Sequence, residues 1–141
     1  MREPRVEGAS GGRTARQRSG DAAESLVGRL LEARGWRLLA RNLHVGRSEL
    51  DIVAVDPGPP PRLVIVEVRW RRSRAFGGAE ESFGYRKRAL MRVGVARLLS
   101  SGCIADGTPL PRLPVAVDLA VVEPGFAGRP SVRLYRNVLG E

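Results

Sequence analysis

Three carboxylates lie in or beside two short apolar segments of this 141-residue chain. Glu49 and Asp51 belong to SELDIVAVD, and Glu67 belongs to RLVIVEVRW. An ionised carboxylate that is buried without a partner is costly. Either these acids lie at strand ends and face water, or a cation lies between them.

The two apolar segments are predicted to pair as antiparallel strands. Both are rich in β-branched residues, and the compact DPGPPPR segment between them cannot continue either strand. Because side chains alternate faces along a strand, a register that sets Asp51 opposite Glu67 also sets Glu49 opposite Arg69 on the same face. A slip by two residues would keep this group together with different partners.

Asp51 and Glu67 would then be close enough to share a cation. Directly opposed Cβ atoms lie roughly 4.5–5.5 Å apart, and two carboxylates at that separation repel unless a proton or a cation lies between them. Mg²⁺ or Mn²⁺ suits an all-oxygen site; the alternative is a set of ordinary ion pairs with neighbouring arginines. The ending Glu67-Val68-Arg69 favours the metal, because its cation could stabilise charge on a phosphate during metal-assisted phosphodiester hydrolysis.

The charge of the chain favours a polyanionic partner. The formal net charge is +9 and the sequence pI is about 11.3, which favours nucleic acid, although a basic surface can also serve solubility alone. Basic residues are concentrated between Arg69 and Arg97. Trp70 and Tyr85 flank a glycine-containing loop and are candidates for stacking on unpaired bases, with packing as the equal alternative. The candidate nucleic-acid contacts are Arg71, Arg72, Arg74, Lys87 and Arg88.

The counts of histidine and cysteine exclude several other classes of site. His44 is the single histidine and Cys103 the single cysteine, so zinc fingers and internal disulfides are excluded, and a lone thiol suits a cytoplasmic location. We interpret His44 as a surface residue or phosphate contact, and Asp118 in the apolar VAVDLAVV as a structural partner of an arginine. We expect no membrane partner and no nucleotide cofactor, because the chain has neither a spanning apolar run nor a Gly-rich phosphate loop.

The elements around these residues predict one α/β domain. Residues 1–19 are predicted to be a disordered basic tail, and residues 20–141 a single domain. A first helix is predicted to start near Asp21, a candidate N-cap with Glu24 three residues on. A second is predicted over 85–101, with its buried face formed by Leu90, Val93, Ala96 and Leu98. Strands are predicted at 36–42, 49–55, 63–69, 114–123 and 131–137, so helices flank a central sheet.

The two carboxylate segments resemble a known family pattern. SELDIVAVD followed by LVIVEVRWR resembles GEIDLIA followed by LVFVEVK of the YraN-like uncharacterised proteins, UPF0102, within the restriction-endonuclease-like, Holliday-junction-resolvase-like PD-(D/E)XK superfamily. The resemblance runs from about Gly20 to Val138 and includes GDAAE, LLEARGWRLLARN, FGGAEES and VDLAVV. It implies a restriction-endonuclease-like fold, with a mixed central sheet flanked by helices and a nuclease-type metal site.

The resemblance also implies roles for individual residues. By motif position, Glu24 is the helix acid, Asp51 the motif aspartate and Glu67 the motif glutamate, and these three would be catalytic residues that hold Mg²⁺ or Mn²⁺. Glu49 matches the acid two residues before the aspartate and is an accessory candidate. Lys87 matches a helix lysine of the pattern. At the start of the second helix it could fold back toward the site, and the favoured alternative is an ordinary solvated residue or a phosphate contact.

Two departures from the pattern bear on mechanism. Ser48 replaces a glycine at the turn into the strand, and Arg69, the fourth candidate catalytic residue, replaces the motif lysine. Arginine can brace a phosphate but cannot deprotonate water. The sequence therefore predicts a metal-dependent nuclease that hydrolyses phosphodiester bonds of DNA rather than RNA, in branched or single-stranded substrates. The alternative is a non-catalytic nucleic-acid-binding module on the same fold, and a homodimer is left open.

Overall fold

Two α-helices and five strands make up the part of the chain that the computed structural model describes, residues 15–71 and 84–140, with side chains from residue 20 onward. The helices are α1 (Ala15–Ala33) and α2 (Tyr85–Ser101). The strands are β1 (Arg37–Val45), β2 (Ser48–Asp56), β3 (Arg62–Trp70), β4 (Val115–Glu123) and β5 (Ser131–Tyr135). The predicted α/β class, a mixed central sheet flanked by helices, is confirmed. Neither described helix has the length and apolar character needed to cross a membrane.

The sheet has the order β1-β2-β3-β4-β5. Neighbouring strands are antiparallel except for β3 and β4, which are parallel. Parallel neighbours need a crossover connection, and α2 lies within it. Ile52, Val64 and Val66 face the apolar side chains of α1 on one face of the sheet. On the other face, Val53 and Ile65 belong to the cluster that includes the buried side chains of α2.

The predicted pairing of β2 with β3 is confirmed. Paired residues run from Ile52↔Val66 to Asp56↔Arg62, and the same register sets Asp51 opposite Glu67. The turn between the strands begins with a hydrogen bond of 2.9 Å from the Gly58 N–H to Asp56 Oδ1. Regular pairing stops at Ile52, so Asp51 and Glu67 lie where the two strands part.

The start of the first helix differs from the prediction. Helix α1 begins at Ala15, so residues 15–19 of the predicted tail are helical and Asp21 lies inside the helix rather than at its N-cap. The physical reason is that alanine, arginine and glutamine are strong helix formers, which carries the helix through Gly20. Residues 1–14 and the segment 72–83 lie outside the described residues.

Helix α2 has the predicted bounds but a different buried face. Leu90 and Val93 are 60% and 46% exposed, whereas Met91, Gly94 and Leu98 are buried. The predicted buried face was therefore wrong except at Leu98. Met91 and Gly94 each lie one position after a predicted residue, and one position turns a helix by about 100°. Gly94 allows the observed face, because a Cβ there would lie 3.0 Å from the Cβ of Ser48. This close approach sets α2 directly against β2.

Candidate metal and nucleic-acid site

Asp51 bridges β2 and β3 where their regular pairing ends. Its Oδ2 accepts a hydrogen bond of 2.9 Å from the Val68 N–H, so a side chain satisfies this main-chain donor. Burial and the like charge of Glu67 raise the pKa of Asp51 to about 8, with a smaller effect from Glu24, although the Val68 hydrogen bond opposes the shift. Without a bound cation, the Asp51 carboxyl therefore keeps its proton to a higher pH than an ordinary aspartate does.

Glu67 is the most enclosed acid of this group, with a side chain that is 6% exposed. Its Oε2 lies 3.0 Å from Lys87 Nζ and 3.5 Å from Arg69 Nε. The other oxygen, Oε1, is buried and has no hydrogen-bond partner among the described residues. Asp51 is close enough to donate a hydrogen bond to Glu67 when its carboxyl is protonated. Lys87 and Arg69 thus both lie beside Oε2, whereas Oε1 is left to accept a proton or bind an ion.

Lys87 reaches this site from the first turn of α2. Sequence reasoning favoured a solvated residue or a phosphate contact over a Lys87 that folds back toward the site, and its ion pair with Glu67 was not predicted. The signal was present, because Lys87 precedes the buried residues Met91, Gly94 and Leu98 at helical spacing. Gly94 brings the helix close to β2, and Lys87 then lies over the ends of the strands.

Glu24 lies close enough to Asp51 to raise its pKa, but it does not complete a three-residue metal group. Its Oε1 lies 3.9 Å from Arg41 Nη2, and burial raises its pKa while Arg41 opposes the shift. Within residues 15–71 and 84–140, no three His, Cys, Asp or Glu side chains form a group that could hold a metal ion. Asp51 and Glu67 therefore offer two carboxylates for one ion, and Glu24 as a third ligand stays a prediction.

Glu49 and His44 form a separate surface pair. The two residues oppose each other across β1 and β2, with His44 Nε2 3.2 Å from Glu49 Oε2. The regular pairing of β2 with β3 does not reach Glu49, so the predicted pairing with Arg69 is not formed. The prediction that His44 is a surface residue is confirmed by its exposed side chain.

The aromatic and basic candidates are divided between different surfaces. Trp70 lines a cleft with Ala23 and Leu26 of α1, which places it on the face opposite to Glu67. Tyr85 is exposed at the start of α2. Of the remaining predicted contacts, Arg71 and Arg88 are half-buried, and Arg72 and Arg74 lie outside the described residues. Contact with bases or phosphates stays a prediction for all of them.

Asp118 belongs to a structural cluster, as predicted. Its Oδ2 lies 2.6 Å from Arg136 Nε, and its Oδ1 accepts a 2.9 Å hydrogen bond from the Asn137 N–H. Arg136 also lies 2.6 Å from Asp56 Oδ2 and 5.3 Å from the centre of the Trp36 ring. Burial raises the pKa of Asp118 in spite of Arg136. The interpretation of Asp118 as an arginine partner is confirmed.

The donor set at Asp51 and Glu67 fits Mg²⁺ or Mn²⁺. These ions take oxygen ligands, and Mg²⁺ in particular is held by one or two carboxylates while it keeps several waters. The buried Glu67 Oε1 without a partner and the raised pKa of Asp51 are both expected of carboxylates that are close together without a divalent ion. The site therefore suits a partly hydrated cation better than a fully enclosed one.

Comparisons with known proteins identify relatives over most of the chain. Residues 23–122 match the model of "Uncharacterised protein family UPF0102". A UPF0102 protein of Symbiobacterium thermophilum is 36% identical over 121 residues, 86% of this chain and 95% of that protein. One from an Arthrobacter species is 37% identical over 119 residues, 84% of this chain and 93% of that protein.

A solved structure with some likeness is that of Pyrococcus furiosus SfsA in complex with Ca²⁺. The alignment covers 86% of this chain and 63% of that chain, at 14% identity and a TM-score of 0.35. A likeness at this level supports no conclusion about the activity of the chain. The family match is much stronger evidence than this structural likeness, because it includes both carboxylate strands and most of the described residues. The chain belongs to the uncharacterised protein family UPF0102.

Proposed function

We propose that the protein is a metal-dependent nuclease that hydrolyses phosphodiester bonds of DNA. The observation that carries this proposal is the pair of carboxylates, Asp51 and Glu67, at the point where β2 and β3 part, with the Arg69 guanidinium group beside Glu67. Two acids and a fixed cation in one opening are the groups that metal-assisted phosphodiester hydrolysis needs. The resemblance to PD-(D/E)XK nucleases supports the same reading.

Each residue has a defined task in this reaction. Mg²⁺ or Mn²⁺ bound by Asp51 and Glu67 would supply a Lewis acid for the phosphate and lower the pKa of water. Asp51 must give up its proton to bind the ion, so cation binding should strengthen as pH rises toward 8. Arg69 keeps its charge at every relevant pH, and its fork of N–H groups can brace two phosphate oxygens.

The basic residues of α2 supply the surface on which a DNA backbone could lie. The helix contains five basic residues and no acidic residue in YRKRALMRVGVARLLSS. Because Lys87 is already at the carboxylate pair, a phosphate that contacts this end of α2 is brought near Asp51 and Glu67. Branched or single-stranded DNA is the substrate class that we propose, as the resemblance implies.

The deciding experiment combines three DNA forms with matched variants. Purified protein is incubated with Mg²⁺ or Mn²⁺ and linear duplex, single-stranded or four-way-junction DNA. Cleavage should be lost in Asp51→Ala and Glu67→Gln, and kept in Glu32→Gln, which changes an exposed acid of α1. Arg69→Ala should lose cleavage but still bind Mn²⁺, and Arg69→Lys should retain cleavage. The nuclease proposal fails if no metal supports cleavage of any of these DNAs.

The second candidate is a nucleic-acid-binding module without catalysis. The observation that favours it is Arg69, because the usual lysine of this motif position is replaced by a side chain that cannot act as a base. The same DNAs in the presence of a chelator separate the two functions. Salt-sensitive binding without cleavage under any metal would favour the module.

A further inference from the structure

We propose that Lys87 is a built-in cation of the carboxylate pair, which a divalent ion must displace before the site can act. The proposal rests on the metal site of the proposed function and adds a residue and a switch to it. In the metal-free protein, the Lys87 ammonium group holds Glu67. After displacement, the same group is free to contact a phosphate of the substrate.

The burial of Glu67 is the first step of the argument. Its side chain is 6% exposed, and a buried carboxylate is costly unless a cation or a hydrogen-bond donor lies beside it. Lys87 Nζ, at 3.0 Å from Oε2, is closer than Arg69 Nε, at 3.5 Å from the same atom. Among the described residues, Lys87 is therefore the closest cation to the Glu67 carboxylate.

Competition with a divalent ion follows from distance. Mg²⁺ approaches its oxygen ligands to about 2.0–2.1 Å, so an ion on Glu67 would lie close to an ammonium group that remained 3.0 Å from Oε2. Like charges within about 4–6 Å oppose each other strongly. Even with the ion on Oε1 and the Lys87 ammonium group on Oε2, the two positive charges share one carboxylate, so each weakens the binding of the other.

Lys87 is the cation that can leave. Its side chain is 33% exposed, and the four-carbon stem of lysine is flexible, so the amine can swing into water while the backbone of α2 stays in place. The buried contacts of Met91 and Gly94 hold that backbone. The Arg69 side chain is exposed to a similar extent, 36%, but its Nε is buried beside Glu67, so we expect Arg69 to remain at the site. Metal binding would then release a second cation at the edge of the opening, where a phosphate would arrive.

Chemical labelling tests the displacement in the unmodified protein. Lys87 is the single lysine of the chain, so an amine-reactive reagent can modify Lys87 and the α-amino group of Met1, and mass spectrometry separates the two. Saturating Mn²⁺ should speed the modification of Lys87 by at least about threefold, because a free amine reacts faster than one held in an ion pair. The Met1 amine is the internal control, and its rate should stay constant.

Titration calorimetry with Mn²⁺ tests the competition. Lys87→Met should bind Mn²⁺ at least about tenfold more tightly than the unmodified protein, a change that corresponds to about 1.4 kcal/mol. Arg86→Met removes the same charge from the exposed neighbour of Lys87 and should change the affinity by less than about twofold. Lys87→Arg keeps a cation near Glu67 and should not tighten binding.

The outcomes separate this proposal from the metal site itself. If Mn²⁺ binds equally well to all four proteins and leaves the Lys87 labelling rate unchanged, Lys87 is no competitor, while the metal site stands. If Mn²⁺ binds neither the unmodified protein nor Lys87→Met, the metal site fails and this proposal fails with it. Should Lys87→Met not fold, as judged by circular dichroism, the labelling rates of the unmodified protein decide.

Discussion

Replacement of Asp51 by asparagine should make the metal-free protein less sensitive to a rise in pH. Asparagine keeps an oxygen that can accept the Val68 N–H bond, and its amide N–H₂ can donate to Glu67 as a protonated carboxyl would. The variant therefore imitates the protonated state of Asp51 at every pH. What it removes is the ionised state beside Glu67.

The sign and size of the effect follow from the pKa of Asp51. This pKa is raised from 3.8 to about 8 on folding. Below pH 3.8 the Asp51 carboxyl is protonated in both the folded and the unfolded protein, so it takes nothing from the free energy of unfolding. From there to about pH 8, the unfolded chain loses a proton that the folded protein keeps, so the free energy of unfolding falls with rising pH.

The loss is at most about 1.4 kcal/mol for each pH unit, which gives an upper bound of about 4 kcal/mol between pH 5 and pH 8. Movement of side chains and entry of water lower the cost of a buried charge, so we expect about 2–4 kcal/mol. The whole stability of a domain is commonly about 5–15 kcal/mol. The effect is therefore large enough to measure.

Urea unfolding at pH 5, 6, 7 and 8 with a chelator measures the effect. The quantity compared is the difference in free energy of unfolding between Asp51→Asn and the unmodified protein, because other titrating groups cancel in that difference. Glu32→Gln is the control, because it removes an exposed carboxylate of α1 and leaves Asp51 and Glu67 unchanged. A difference that changes by less than about 1 kcal/mol from pH 5 to pH 8 would refute the electrostatic reasoning.

Three further predictions concern the surface, the packing and the second carboxylate cluster. Replacing Arg71, Arg72 and Arg74 by alanine should flatten the slope of log affinity for DNA against log salt concentration by up to about three. An unchanged slope would mean that these side chains do not contact phosphate. Gly94→Val should lower the free energy of unfolding by about 1–3 kcal/mol, because its side chain would collide with Ser48; equal urea midpoints would contradict the close approach. Arg136→Met should cost about 3 kcal/mol at pH 7, because Asp118 loses its buried partner. That cost should shrink at pH 4, where Asp118 is more readily protonated, and a pH-independent cost would be evidence against the ion pair.

The register of β2 with β3 could be predicted because few alternatives satisfy the turn. A compact Pro- and Gly-rich connection forces adjacent antiparallel strands, and the period of two then decides which side chains share a face. Those constraints are local, and they were enough to bring Asp51 opposite Glu67. The role of Asp118 could be predicted for a similar reason, because a buried acid in an apolar strand needs a partner and arginine is the abundant cation of this chain.

The position of Lys87 could not be fixed in the same way. Helix α2 carries apolar and basic residues on all sides, so its sequence allows more than one buried face. The choice was made by Gly94, whose missing side chain permits contact with Ser48 of a distant strand. Motif spacing likewise predicts that Glu24 lies near the site, as its effect on Asp51 indicates. It does not predict whether three carboxylates meet at one point, and no such group of three occurs among the described residues.

The charge of the site connects the two candidate functions. In the metal-free protein, Asp51 keeps its proton to an unusually high pH, and the Glu67 carboxylate faces both Lys87 and Arg69. This group is therefore net positive and suited to attract a phosphate without performing chemistry. Binding of a divalent ion with loss of the Asp51 proton keeps the group positive, while it places a Lewis acid among the same residues. DNA binding without metal and DNA cleavage with metal can thus be two states of one site, and Asp51→Asn should separate them by keeping the first and losing the second.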